Sequence, residues 1–85
     1  MTTPMQRILI ANRSEIAVRI IHACHDEGRT AIAVYADDDA DALFVQLADE
    51  AYGLHGGSPD QTYLDIDKII DIARPCHADA VHPGY

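Results

Sequence analysis

Runs of apolar, β-branched residues alternate along this chain with segments of helical period. The runs over 7–11 and 30–35 lack in–out alternation, which is typical of strands buried on both faces of a sheet. Weaker strands are predicted over 50–54 and 78–82. Strands that alternate with helices form βαβ units with right-handed crossovers. We therefore predict an α/β fold, a Rossmann-like parallel sheet with flanking helices.

The first predicted helix covers residues 14–27. Its apolar side chains recur every three or four positions, and its polar side chains fall on the opposite face. We expect Asn12 or Ser14 to cap its start through a side-chain oxygen. Gly28 is expected to end it, because glycine readily adopts a left-handed conformation.

Two further helical segments are predicted. A helical turn or two is expected over 42–48, and a full helix over 66–73. Asp65 is the expected cap of the full helix, and Pro75 is its stop signal because proline lacks the backbone N–H.

Length and composition exclude several classes of function. The chain has 85 residues, with 6 Lys+Arg against 14 Asp+Glu and a formal net charge of -8. Nucleic acid and anionic membrane surfaces are bound by clustered Lys and Arg, so neither is an expected partner. A chain this short holds at most one domain, and we expect a part of a larger protein.

The expected location is the cytoplasm. No apolar run approaches the roughly 20 residues that a membrane span needs, and the N-terminus lacks the pattern of a signal peptide. Cys24 and Cys76 are far apart in sequence, which suits a reducing compartment better than a disulfide scaffold.

Ligands of open parallel sheets bind beyond the carboxyl ends of the strands. Four segments follow predicted strands, namely Asn12–Arg13, Asp37–Asp39, His55–Gly57 and His82–Tyr85. The first segment lacks the glycines of a dinucleotide-binding loop, which argues against a nucleotide there. Arg13 is interpreted as a solvated or ion-paired residue, and the aspartates as a solvated loop.

Neither a metal site nor a catalytic nucleophile is predicted. His22 and Cys24 lie on opposite faces of the first helix, whereas zinc ligands converge on one point. Ser14 and Ser58 lie in no G-x-S-x-G turn, and neither cysteine has the cationic surroundings that activate a thiol.

A polar stripe on the first helix admits two interpretations. It consists of Glu15, Arg19, His22 and Asp26, at spacings of three and four residues. It is either a solvated face held by weak ion pairs or a self-association face related by a two-fold axis.

Three stretches, taken in order, resemble the N-terminal part of biotin carboxylases. Residues 7–21, RILIANRSEIAVRII, are similar to the family's opening strand and helix, usually read as I-A-N-R-G-E-I-A. Residues 39–43 with 47–51 resemble its middle segment. The stretch from 63–67 through 78–85 resembles the run that ends in H-P-G-Y-G-F.

This resemblance implies an activity for a longer protein. Residues 1–85 would be an incomplete N-terminal biotin carboxylase domain that precedes an ATP-grasp domain. In the family, ATP activates bicarbonate with magnesium, and the carboxyl group passes to biotin on a carrier domain. The resemblance places the catalytic, nucleotide and metal-binding residues outside this segment. The implied partners are a biotin carboxyl carrier domain and a carboxyltransferase subunit.

The resemblance also implies roles for particular residues. Tyr85, with Gly84 beside it, matches the tyrosine near the biotin ring. Arg19, His22 and Asp26 match the dimer-contact helix, although His22 stands where an arginine is common. Ser14 replaces a glycine of the motif, and we expect a helical serine that caps at little cost.

Two functions are weighed. The first is the biotin carboxylase part of a carboxylase, with an acyl-CoA carboxylase α subunit favoured over pyruvate or urea carboxylases. The second is a non-catalytic Rossmann-like binding or assembly module.

Overall fold

The computed structural model describes residues 6–82. Within them, the predicted alternation of strands and helices is confirmed, with ends that differ by at most two residues. The elements are β1 (Arg7–Ile10), α1 (Ser14–Asp26), β2 (Thr30–Tyr35), α2 (Leu43–Leu47), β3 (Glu50–Gly53), α3 (Ile66–Ala73) and β4 (Ala80–His82). Two 3₁₀ turns, Asp37–Asp39 and Pro59–Gln61, lie in the loops after β2 and β3.

The four strands form one parallel sheet in the order β3-β2-β1-β4. The chain therefore moves outward from β1 to β3 and then returns to the other side of β1. The residues at each strand end meet at one edge of the sheet, as the sequence predicts. The α/β fold class is confirmed.

Alternate residues of the inner strands pack on opposite faces of the sheet. Ile8 and Ile10 face α1 and α2, where they contact Ile21 and Phe44. Leu9 faces α3 in a second cluster, which is completed by the buried Ile32, Val34, Leu54, Ile69 and Cys76. Apolar residues are needed at every position of β1 and β2 because both faces are covered, which explains the absence of alternation.

The two ends of α1 differ in how well the sequence predicts them. Gly28 has φ 72°, its N–H binds the carbonyl of His25, and the Arg29 N–H binds that of Cys24. This is a Schellman end, as expected. The predicted cap is wrong: Arg13 is the N-cap residue and makes no side-chain cap bond, while Ser14 has φ 59°. Ser14 therefore occupies the left-handed conformation that glycine adopts without strain.

The amino ends of the strands are held by charged side chains. Asp79 Oδ2 accepts the N–H groups of Gln6 and Arg7, each at 2.9 Å, and these bonds lower its pKa. Arg7 spans the sheet to Glu50 at 2.7 Å and donates to the Cys76 carbonyl. This edge is occupied by structural bonds, which leaves the carboxyl edge for a functional site.

Candidate functional site at the carboxyl edge of the sheet

Three segments near the carboxyl ends of β1 and β2 meet at Arg13, Asp39 and Tyr63. Arg13 Nη2 lies 2.8 Å from Asp39 Oδ1. The Tyr63 hydroxyl donates to Asp39 Oδ2 at 2.5 Å and accepts the Ala36 N–H at 3.0 Å. The Arg13 guanidinium carbon also lies 5.8 Å from the centroid of the Tyr63 ring, within the range of a cation–π contact. We call these three residues the Asp39 cluster.

Asp39 corrects one expectation from the sequence. Asp37 and Asp38 are exposed, as a solvated loop requires, but Asp39 is buried. A buried carboxylate needs a charged partner and hydrogen bonds, and the Asp39 cluster supplies both. Arg13 is an ion-paired residue, in agreement with one of its two interpretations.

Tyr63 is a neutral hydrogen-bond donor rather than an acid–base group. Burial, followed by the hydrogen bond to Asp39, raises the pKa of its hydroxyl to about 12. The phenol therefore stays protonated at neutral pH. Its place in the Asp39 cluster was missed by sequence reasoning, because it lies 24 positions from Asp39 along the chain.

An apolar cleft of about 540 Å³ lies beside Tyr63. It is lined by Ala11, Asn12, Tyr63, Leu64, Ile66, Ile69, Ile70 and Val81. The Ala11 N–H donates to the His82 carbonyl at 2.9 Å, so the end of β4 is held against the end of β1. None of the described residues that line the cleft carries a charge, which suits an apolar occupant rather than a phosphate.

The segment His55–Gly57 is tied down by backbone contacts. Lys68 Nζ donates to the carbonyls of His55 and Gln61, at 2.8 and 2.5 Å. The Gly56 carbonyl accepts the Asp37 N–H at 3.1 Å, which joins this loop to the end of β2. His55 is exposed and makes no side-chain hydrogen bond within residues 6–82. The loop therefore supports the edge of the sheet and does not add a reactive group to it.

The polar stripe of α1 is exposed. Arg19 pairs with Glu15 at 3.0 Å, while His22 and Asp26 are open to solvent. The nearby His25 instead reaches Asp49 at 2.9 Å, a contact that the helical pattern alone did not predict. The use of the stripe in a dimer stays a prediction. Gly84 and Tyr85, the predicted biotin-side residues, lie outside the described residues.

Other site chemistry is scarce in residues 6–82. No group of three His, Cys, Asp or Glu side chains there is arranged to hold a metal ion. Cys24 and Cys76 are free and buried, and burial raises the pKa of the Cys24 thiol. In the same part of the chain, none of the helices has the length and apolar character to cross a membrane.

Comparison with known proteins identifies the family. Residues 4–85 match the family described as biotin carboxylase, N-terminal domain. The chain belongs to this family. The match confirms the resemblance seen in residues 7–85, and the biotin carboxylase N-terminal domain accounts for nearly the whole sequence.

Relatives of this biotin carboxylase N-terminal domain come from carboxylases with different names. The chain is 51% identical over 79 residues to the biotin-dependent acyl-coenzyme A carboxylase alpha3 subunit of Mycobacterium leprae, covering 93% of the chain and 13% of the relative. It is 47% identical over 81 residues to biotin carboxylase 1 of Bacillus subtilis, covering 95% and 18%. It thus spans less than a fifth of these curated relatives.

Solved structures agree with the fold. A complete multifunctional pyruvate carboxylase from Rhizobium etli matches with a TM-score of 0.90 and 42% identity, over 98% of this chain and 9% of that one. The Kluyveromyces lactis urea carboxylase matches with a TM-score of 0.87 and 46% identity, over 89% and 7%. The parallel sheet with flanking helices is therefore the fold of carboxylase N-terminal domains.

Proposed function

We propose that residues 1–85 form the N-terminal part of a biotin carboxylase, the ligase that uses ATP and bicarbonate to carboxylate biotin on a carrier domain. The family match over residues 4–85 carries this proposal. The segment itself serves as scaffold and as the biotin-side wall, and catalysis belongs to the rest of the longer protein. The cleft without charged lining and the structural role of the Asp39 cluster support a scaffold role.

The nucleotide and magnesium are assigned to parts of the protein outside this segment. The turn 11–16 that joins β1 to α1 has no glycine and carries Glu15 in the first helical turn. Phosphate loops need close backbone approach, and a carboxylate at a helix start repels a phosphate. The described residues therefore do not fit ATP or magnesium, and we derive no step through either.

Biotin is proposed to lie against Gly84 and Tyr85. The strand-end rule supports this position, since these residues follow β4 at the carboxyl edge. Bound biotin would supply the nitrogen that accepts the carboxyl group, and Tyr85 would supply an apolar wall for its ring.

The favoured acceptor is an acyl-CoA. The relative with 51% identity is named as a biotin-dependent acyl-coenzyme A carboxylase subunit, which supports this choice over pyruvate or urea. The proposed partners are a biotin carboxyl carrier domain, a second copy bound through α1 and a carboxyltransferase subunit. The unpaired cysteines suit a reducing cytoplasm, which is the proposed location.

The deciding experiment measures ATP cleavage by the full-length gene product with bicarbonate and free biotin. Activity that requires both, together with a biotinylated chain or partner on a streptavidin blot, is the expected result. Transfer to acetyl-CoA, propionyl-CoA, pyruvate and urea then identifies the acceptor. A purified full-length protein without biotin-dependent ATP cleavage would leave only the non-catalytic module.

The biotin-side role of Tyr85 is tested by Tyr85→Ala in the same full-length protein. We expect the KM for free biotin to rise more than the KM for ATP, because only the biotin ring loses a contact. Tyr52→Ala is the control, since Tyr52 lies on β3 at the opposite edge of the sheet. Equal KM values for biotin in Tyr85→Ala and the parent would remove Tyr85 from the site.

A further inference from the structure

The cleft between α3 and β4 exposes more apolar surface than the rest of the described chain. Ile66 is 70% exposed, Leu64 67% and Val81 43%. All three line the cleft, together with the partly exposed Ile70. Strands of parallel sheets are normally covered on both faces, and contiguous apolar patches mark sites of association. A covering element is therefore expected here.

The open edge of β4 lies beside this cleft. Within residues 6–82, β4 pairs only with β1 and ends the sheet order β3-β2-β1-β4. Val81 is the register partner of Leu9, and Leu9 packs in the cluster on the α3 side. Val81 therefore faces the same side of the sheet as α3, and the cleft continues from α3 to the sheet edge.

The handedness of the fold predicts what covers the cleft. The crossovers from β1 to β2 and from β2 to β3 run one way and place α1 and α2 on one face. The crossover from β3 to β4 runs the opposite way and places α3 on the other face. Parallel crossovers are almost always right-handed. A crossover that continues outward from β4 must therefore place its helix on the α3 face, over the cleft.

We propose that the polypeptide following this segment supplies an amphipathic helix that fills the α3–β4 cleft, and then a strand that pairs in parallel with β4. This inference depends on the proposed function, because it requires that the chain belong to a longer protein. The relatives support that condition, since the chain spans 13–18% of their length. The uncharged lining fits a helix face of aliphatic side chains.

A second copy of the chain is a poorer occupant. The proposed dimer surface is the polar stripe of α1, and α1 packs on the opposite face of the sheet from the cleft. A dimer through α1 therefore leaves the cleft open. An isolated edge strand beside an apolar cleft is also a liability for aggregation, which a covering segment of the same chain removes.

Photocrosslinking in the full-length protein tests the proposal. Ile66 is replaced with p-benzoylphenylalanine, and the crosslinked peptides are mapped by mass spectrometry in a mixture of ¹⁴N- and ¹⁵N-labelled protein. We expect crosslinks without mixed isotopes to the segment of about 30 residues that completes a βαβ unit after β4. Leu43, which is 59% exposed on α2 at the other face, is the matched control and should not reach that segment.

A smaller substitution guards against misfolding. Ile66→Cys in the full-length protein should react with a maleimide about tenfold more slowly than after unfolding, because a covered thiol reacts only through local opening. Crosslinks to another protein or to a second copy, or labelling of the cysteine as fast as in the unfolded protein, would overturn the proposal. Neither readout uses activity. An active enzyme with an uncovered Ile66 thus rejects the docking alone, whereas a crosslinked but inactive protein rejects the proposed function alone.

Discussion

Tyr63 connects three segments that are distant in sequence. Its hydroxyl donates to Asp39 and accepts the Ala36 N–H, while its ring lies beside the Arg13 guanidinium. Removing the hydroxyl leaves the Ala36 N–H without its acceptor and Asp39 with one partner fewer. An unmet buried polar group costs more than the net free energy of the bond that satisfied it. The residue should therefore matter for stability although it performs no chemistry.

We predict that Tyr63→Phe lowers the free energy of unfolding of the 85-residue chain by about 1–2 kcal/mol at neutral pH. Urea titration followed by circular dichroism measures it. Tyr52→Phe is the control, because Tyr52 donates to Glu50 on the surface, and its loss should cost less than about 0.5 kcal/mol. Equal effects of the two variants would contradict the role of the Asp39 cluster.

The same pair of variants makes a prediction about pH. The pKa of Tyr63 rises from its ordinary value of 10.0 to about 12 in the folded chain, mainly through burial. Its stabilising effect is therefore complete below pH 10, and it is lost as pH rises from 10 towards 12. The difference in unfolding free energy between the parent and Tyr63→Phe should narrow over that interval. A difference that stays constant would contradict the raised pKa.

At the scale of the element, the start of α1 carries strain. Ser14 has φ 59°, and a side chain in this conformation costs roughly 1–2 kcal/mol that glycine avoids. Ser14→Gly should therefore raise the free energy of unfolding by about 1 kcal/mol. Ser58→Gly is the control, since Ser58 has no positive φ and its change should slightly destabilise the chain. A destabilising Ser14→Gly in the same urea titration would show that the serine side chain contributes more than the strain costs.

The loop between β3 and α3 supplies a matched pair of glycines. Gly56 has φ 154°, and a Cβ there would lie 3.0 Å from the Gln61 Cβ and 3.3 Å from its carbonyl oxygen. Gly57 has open space around the corresponding position. Gly56→Ala should lower the melting temperature, at a cost of about 1–3 kcal/mol, whereas Gly57→Ala should be neutral or slightly stabilising. Similar melting temperatures for both variants would contradict the tight packing of Gly56 against Gln61.

At the scale of the whole molecule, local patterns predicted the elements but not the contacts between them. Uninterrupted apolar runs indicated β1 and β2 because every residue of these strands is buried on one face or the other. The burial of Asp39 could not be predicted, since it depends on Tyr63 arriving from a distant segment. Ser14 was misjudged because side-chain chemistry suggested a cap while the backbone turn demanded a positive φ.

The distribution of charge over the molecule suggests how two copies meet. With a net charge of -8, protomers repel one another, so a dimer surface needs local cations. Arg19 provides one on the exposed stripe of α1, and within its own chain it forms only a surface pair with Glu15. Surface pairs of this kind contribute little to stability, so changing Arg19 should leave the fold intact.

We predict that Arg19→Glu shifts the full-length protein from dimer towards monomer in sedimentation velocity. The new carboxylate adds repulsion where a two-fold axis would bring two acidic chains together, and removes the cation that offsets it. Arg74→Glu makes the same change of charge at the end of α3, on the opposite face of the sheet, and should leave the dimer unchanged. A dimer unaffected by Arg19→Glu, or weakened equally by Arg74→Glu, would place the interface away from α1.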